Sequence, residues 1–155
     1  MQIHIIAIGT RMPGWVEQGY AEYTRRMPPE CRVQLHEINA GKRGKNADIA
    51  RLTEQEGQRM LAAIPKNTQV IALDVLGRSW STEKLAAQMS QWMQSGQDLT
   101  LLVGGPEGLS EECRKRGQAG WSLSPLTLPH PLVRIVLAEQ LYRASSILKG
   151  HPYHK

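Results

Sequence analysis

Five times along 155 residues, a short apolar run of strand length is followed by a stretch whose apolar residues recur at helical spacing. This alternation constrains the chain more than any other feature. Strands joined through helices lie parallel to one another. The pattern therefore predicts an α/β fold built on a mostly parallel sheet with helices on both faces. The strand-like runs are Gln2–Ile8, Cys31–Ile38, Thr68–Leu73, Leu99–Val103 and the short, β-like Trp121–Leu128. The first helix begins at Pro13 and carries Trp15, Gly19, Tyr20, Tyr23 and Met27, and Pro28-Pro29 ends it. Asp48–Ile64 is amphipathic through Ile49, Leu52, Met60, Leu61 and Ile64. Ser81 caps a helix bearing Leu85, Met89, Trp92 and Met93, which Gly96 stops. Ser110 with Glu111 and Glu112 starts the next helix, and Pro131 opens the last one, through about Leu148. No repeat, low-complexity segment or linker interrupts the series, so residues 1–155 read as one domain.

Composition narrows the class. The formal charge of +5 permits a polyanionic partner such as nucleic acid without deciding for one. Phe is absent, so aromatic stacking falls to four Trp and four Tyr. Cys31 and Cys113 have neither metal-ligand spacing nor a disulfide framework, which points to the reducing cytoplasm and to structural thiols. The apolar N-terminal run is too short to span a membrane and lacks a signal-peptide pattern, so no membrane association is expected. His151 and His154 are spaced H-x-x-H with no third ligand, so no metal is expected.

Three predicted strand ends carry ligand-like loops, and a parallel sheet lets them converge on one edge. The first is Leu73-Asp74-Val75-Leu76-Gly77. The second is Gly104-Gly105-Pro106-Glu107-Gly108, which is either a ligand loop or a plain tight turn. The third, Leu123-Ser124-Pro125-Leu126-Thr127-Leu128-Pro129-His130, is apolar and proline-flanked. It offers backbone polar groups beside hydrophobic walls, a combination suited to an adenine ring. The glycines do not spell the dinucleotide fingerprint, and no G-x-S-x-G elbow occurs.

The loop Gly41-Lys42-Arg43-Gly44-Lys45 looks superficially like a phosphate loop. Asn46 stands where Ser or Thr is required, however, and only three residues separate Gly41 from Lys45, so a nucleoside-triphosphate site is rejected. The loop is either a mobile basic tip for phosphate contacts or a solvated loop. The last helix is apolar over more than one face, which points to burial against its own sheet and a second subunit. Arg134, inside that apolar run, either faces a ligand or forms a structural ion pair, for example with Glu107 or Glu139. The tail His151–His154 concentrates ring donors and acceptors that could reach across a dimer.

The Gly9-Thr10 turn, the stretch Ala40–Ile49, the Gly104–Gly108 turn, the Leu123–His130 loop, the Pro131–Arg143 helix and the tail together resemble the small SPOUT-type methyltransferases of bacterial ribosomes. The resemblance spans essentially the whole chain. It implies a deep C-terminal trefoil knot, S-adenosyl-L-methionine as cofactor, a homodimer with its site at the subunit boundary, and methylation of N3 of a pseudouridine in 23S ribosomal RNA. By position, Leu73, Gly104, Gly105, Leu123, Ser124, Pro125, Leu126, Thr127 and Leu128 would line the cofactor site. Arg143, Arg134, His130, Tyr153 and His154 have the chemistry to remove the N3 proton or stabilise the resulting anion. Arg25, Arg26, Lys42, Arg43 and Lys45 would meet RNA, with Trp or Tyr rings available to stack a splayed base. The rivals to this reading are a non-enzymatic RNA-binding protein with a vestigial pocket and a flavodoxin-like nucleotide-binding enzyme.

Overall fold

The structure is a computed structural model describing residues 1–154. Its elements run β1 (Gln2–Ile8), α1 (Gly14–Thr24), β2 (Arg32–Ile38), α2 (Ile49–Ala63), β3 (Thr68–Ser79), α3 (Thr82–Gln94), β4 (Asp98–Val103), α4 (Glu111–Arg116), β5 (Ala119–Ser122) and α5 (His130–Leu148). The five strands form one sheet in the order β2-β1-β4-β3-β5, with every neighbouring pair parallel.

Right-handed crossovers sort the helices between the faces. The connections through α1 and α3 step one way along the sheet, and those through α2 and α4 step the other way. Accordingly α5 packs against α1 and α3, while α2 packs against α4. Strand alternation then divides the core. Ile3, Ile5 and Ala7 of β1 join Leu99, Leu101 and Val103 of β4 under Leu85, Met89, Leu137 and Leu141. Ile6 and Ile8 face the other way, with Val70, Ala72 and Leu102, under Met60, Leu109 and Cys113. Both cysteines are buried free thiols, and burial pushes their pKa values up.

Helix starts follow the local chemistry. Asp48, Ser81 and Ser110 each accept a hydrogen bond from the backbone N–H three residues on, satisfying a donor the helix leaves open. Strand β5 covers Ala119–Ser122 and not Trp121–Leu128, because its ladder with β3 ends at Ser122 and the chain then runs into a loop. Two further expectations are corrected. The first concerns α1, where Trp15 is 54% exposed and Val16 instead joins Gly19 and Tyr20 on the packed side, with Gly19 against Ile135 of α5. The second concerns β3, which continues past Leu73 to Ser79. Leu73 and Arg78 both pair with Trp121, so Asp74–Gly77 bulges out between two pieces of one ladder. Gly77 permits this, since a Cβ there would stand 2.6 Å from the Gly120 carbonyl carbon and 2.7 Å from the Trp121 nitrogen. Trp121 in turn stacks on Trp80, with ring centroids 5.1 Å apart and the planes 21° from parallel.

Candidate active site

The carboxyl ends of β1 and β4 lead in opposite directions along the sheet, to β2 and β5, which makes a topological switch point on that edge. Beside it lies a cavity of about 680 Å³, within the range of small-molecule sites. Its lining comes from the three loops, as Leu73–Val75, Val103–Leu109, and Trp121–Val133 apart from Pro125, Pro131 and Leu132, together with Arg114 of α4. Leu73, Gly104, Gly105, Leu123, Ser124, Leu126, Thr127 and Leu128 therefore all stand on the wall, while Pro125 is exposed and outside the lining. The surface is mostly apolar. Ser124 Oγ accepts the Leu126 N–H at 2.9 Å, which shapes the third loop. Val75, Leu76 and Leu126 stand exposed on the two loops at the rim.

The glycine turn combines features of both alternatives, a tight turn and a ligand loop. A Cβ on Gly104 would lie 2.4 Å from the Gly108 carbonyl carbon and 2.7 Å from the Leu109 nitrogen, so the turn closes on its own backbone. Gly108 has φ +81° and donates its N–H to the Gly105 carbonyl at 2.9 Å. The turn is thus both tight and part of the cavity wall.

Of the five residues with suitable acid–base or electrostatic chemistry, His130 alone lines this cavity. Burial, then the nearby positive charges of Arg134 and Arg43, lowers its pKa, which keeps the ring neutral. Its Nδ1 is buried with no hydrogen-bond partner among the described residues. Arg134 lies behind it, 3% exposed. Its Nη1 donates to Glu37 Oε2 at 2.7 Å and its Nη2 to the Gly9 carbonyl at 2.7 Å. Arg134 therefore has a structural ion pair, with Glu37 in place of Glu107 or Glu139. Nearby, Tyr20 is pushed up to about 12 by burial, which Arg134 partly offsets.

Arg143, Tyr153 and His154 form a separate cluster toward the other end of α5, about 20 Å along the helix from His130. Arg143 donates to Glu139 Oε1 at 2.7 Å and lies 4.9 Å from the Tyr153 ring centroid, and Tyr153 packs on Tyr142. Glu139 first, and after it Tyr153, raise the Arg143 pKa against burial. Arg26 joins this group over the Tyr142 ring at 5.9 Å, and both Arg25 and Arg26 pair with Glu22.

The basic loop is not uniformly mobile. Lys42 and Lys45 are exposed, but Arg43 is held by Glu56 and Glu107. Sequence reasoning missed these acidic anchors, together with Glu37. It also missed Arg11, a non-glycine residue at φ +55° beside the switch point and exposed on the same edge. The signal for Arg11 was its place immediately after Gly9-Thr10. The carboxylates gave none. Among the four tryptophans, Trp15 is the exposed one. No group of three His, Cys, Asp or Glu among the described residues is arranged to hold a metal ion, and no described helix is long and apolar enough to cross a membrane.

Comparisons with known proteins agree with this architecture. A protein of Thioalkalivibrio sulfidiphilus (strain HL-EbGR7) named Ribosomal RNA large subunit methyltransferase H is 63% identical over 155 residues, covering 100% of this chain and 99% of that one. Two solved structures share the fold. One, from Legionella pneumophila, is assigned as a methyltransferase and was solved with the bound cofactor SAM. It has a TM-score of 0.50 at 11% identity, covering 94% of this chain and 66% of that one. The other, from Neisseria gonorrhoeae, is assigned to a methylase family, with a TM-score of 0.53 at 15% identity over 90% and 81%. A family model described as "Predicted SPOUT methyltransferase" matches residues 1–154, and with the full-length relative it establishes that this chain belongs to the SPOUT methyltransferase family.

Proposed function

We propose that this chain methylates N3 of a pseudouridine in 23S ribosomal RNA of the bacterial large subunit, using S-adenosyl-L-methionine. It does so as a single-domain cytoplasmic protein working as a homodimer. The observation that carries the reading is the cavity at the carboxyl edge, assembled from the three loops and bearing His130 on its wall. The name of the 63% identical relative supports ribosomal RNA as the substrate. The residues suit the cofactor: leucines 73, 123, 126 and 128 offer an apolar slot for an adenine ring, and the backbone of the Gly104–Gly108 turn offers polar groups beside it. Bound there, S-adenosyl-L-methionine supplies a methyl group on a sulfonium sulfur, already activated and needing no acid.

The chain's own residues then have two tasks. The acceptor N3 carries a proton that must leave before or during attack, and a neutral imidazole beside the cavity can accept it. His130 is neutral and in place, whereas Arg134 is committed to Glu37 and Gly9 and orients the wall behind that ring. The second task is to stabilise the base as it becomes anionic. Arg143, Tyr153 and His154 have that chemistry, but within one chain they lie too far from the cavity. In a two-fold dimer that sets α5 antiparallel to its copy they would approach the partner's cavity, which is why the reading includes a homodimer. The C-terminal knot implied by the resemblance belongs to the same reading. Lys42, Lys45 and Arg11 on the cavity edge contact RNA phosphates, Arg25 and Arg26 accompany the Arg143 cluster, and Trp15 offers a stacking face.

The test is mass spectrometry of 23S ribosomal RNA from cells lacking the gene, followed by incubation of their ribosomes with the purified protein and labelled cofactor. Loss of one methyl from a pseudouridine, restored in the second step, is the expected result. An unchanged methylation pattern refutes the reading.

A further inference from the structure

Arg43 joins two parts of the molecule that the proposed function assigns to different ligands. It stands between exposed Lys42 and Lys45 in the loop facing RNA, yet every one of its five N–H groups is engaged. Nη1 donates to Glu56 Oε2 at 2.7 Å and to the Gly41 carbonyl at 3.0 Å. Nη2 donates to Glu56 Oε1 at 2.9 Å and to Glu107 Oε2 at 2.8 Å, and Nε donates to Glu107 Oε2 at 3.0 Å. The two carboxylates differ in kind. Glu56 is on α2, its side chain is 3% exposed, and it also accepts the Gly41 N–H at 2.8 Å. Glu107 is 33% exposed and sits in the Gly104–Gly108 turn that walls the cavity. Glu56 is therefore a fixed anchor, and Glu107 is the joint through which the basic loop holds the turn.

We propose, resting on the function above, that Arg43 is a positioning residue that couples RNA binding to cofactor binding through Glu107. Phosphates meeting Lys42 and Lys45 order the loop. The ordered loop fixes the guanidinium, and the guanidinium fixes the turn against which the cofactor lies. Ordering supplied by one ligand need not be supplied again by the other, so the two bind with positive cooperativity. By linkage the effect is reciprocal. Arg43 then serves RNA recognition indirectly, because it has no N–H left for a phosphate.

The experiment measures the dissociation constant of S-adenosylhomocysteine, which carries no transferable methyl. It is measured with the full-length protein alone and with the protein saturated by ribosomes from cells lacking the gene. Wild-type protein is expected to bind about fivefold or more tightly on the ribosome, the lower end of ordinary coupling. Glu107→Gln keeps the side chain's shape and leaves the Arg43–Glu56 pair intact, so the protein remains folded, and the ratio of the two constants should fall toward one. Arg43→Lys, which cannot span both carboxylates, should behave in the same way. Were Glu107 merely a cofactor contact, Glu107→Gln would weaken both constants by the same factor and leave the ratio unchanged. That result overturns the proposal, as does a wild-type ratio of one. If wild-type protein fails to methylate these ribosomes at all, the function reading fails and the coupling fails with it.

Discussion

Removing the guanidinium from Arg43 tests whether Glu56 is the buried, charged anchor that the geometry describes. Glu56 is 2% exposed and accepts three hydrogen bonds, two from Arg43 and one from the Gly41 N–H. Burial alone pushes its carboxyl up, but Arg43 and Gly41 override that and hold it below the usual range. Breaking a buried pair from one side costs about 3–5 kcal/mol. Arg43 is itself 19% exposed, which lets water approach the gap, so Arg43→Ala should lose about 3 kcal/mol, the lower end. In a chain of this size that corresponds to a fall in Tm of about 6–12 °C.

The pH dependence is the sharper test. In the wild type Glu56 has a lowered folded pKa. Its stabilisation is complete above the unfolded value, about 4.3, and disappears as pH falls through the folded value. In Arg43→Ala burial, the largest influence on this carboxyl, is opposed only by the Gly41 N–H and the charge of Arg59, so the folded pKa should rise above the unfolded one, with the penalty largest near neutrality. The difference in unfolding free energy between the two proteins should therefore be greatest at pH 7 and shrink toward pH 4, as read by urea titration across that range. Adding Glu56→Gln to Arg43→Ala should recover stability at pH 7. A loss that is small and flat with pH would refute the assignment of Glu56 as a charged anchor.

Gly104→Ala places a methyl against the Gly108 backbone and must open the turn. Misplacement by about 1 Å can cost roughly 10²-fold, so calorimetry should show cofactor binding weakened by that order, and unchanged affinity would mean the turn is not a wall of the site. His130→Gln keeps a polar side chain but removes the proton acceptor. Single-turnover methylation should slow by about 10²–10⁴-fold with cofactor affinity within a few-fold of wild type, and a near-normal rate would transfer the proton-accepting role elsewhere.

What was legible in the sequence was local. The span of β1 and the caps at Ser81 and Ser110 follow from short-range pattern, and the structure reproduces them. The three loops were legible as a group because parallel strands put their carboxyl ends on one edge, and they do line one cavity. What was not legible depends on pairing across long separations. Arg43 is indistinguishable from Lys42 and Lys45 in sequence, because the partners that set it apart lie 13 and 64 positions away. For the same reason Arg134 read as a charge in an apolar helix, while its partner Glu37 is 97 positions distant. The extension of β3 to Ser79 depends on a ladder that resumes only where Gly120 and Trp121 meet Gly77.

The position of the chemistry along α5 bears directly on the proposed homodimer. This helix has 19 residues, roughly 28 Å of axis. Its first turn holds His130 at the cavity, and its last turns hold Arg143 against Tyr153. One face packs on the sheet through Leu137, Leu141 and Ala144, while Leu132 and Leu148, near its two ends, are 39% and 42% exposed. Two copies of a helix related by a two-fold axis perpendicular to it run antiparallel, which sets the first turn of each beside the last turns of the other. Such a pairing would bring each Arg143 cluster toward the other copy's His130, and of the two exposed leucines, about 160° apart around the helix, it would cover at most one. A parallel arrangement would leave both clusters as remote from the cavities as they are within one chain. The proposed reaction therefore asks for one particular symmetry, and a homodimer with any other geometry would leave Arg143, Tyr153 and His154 without a catalytic role.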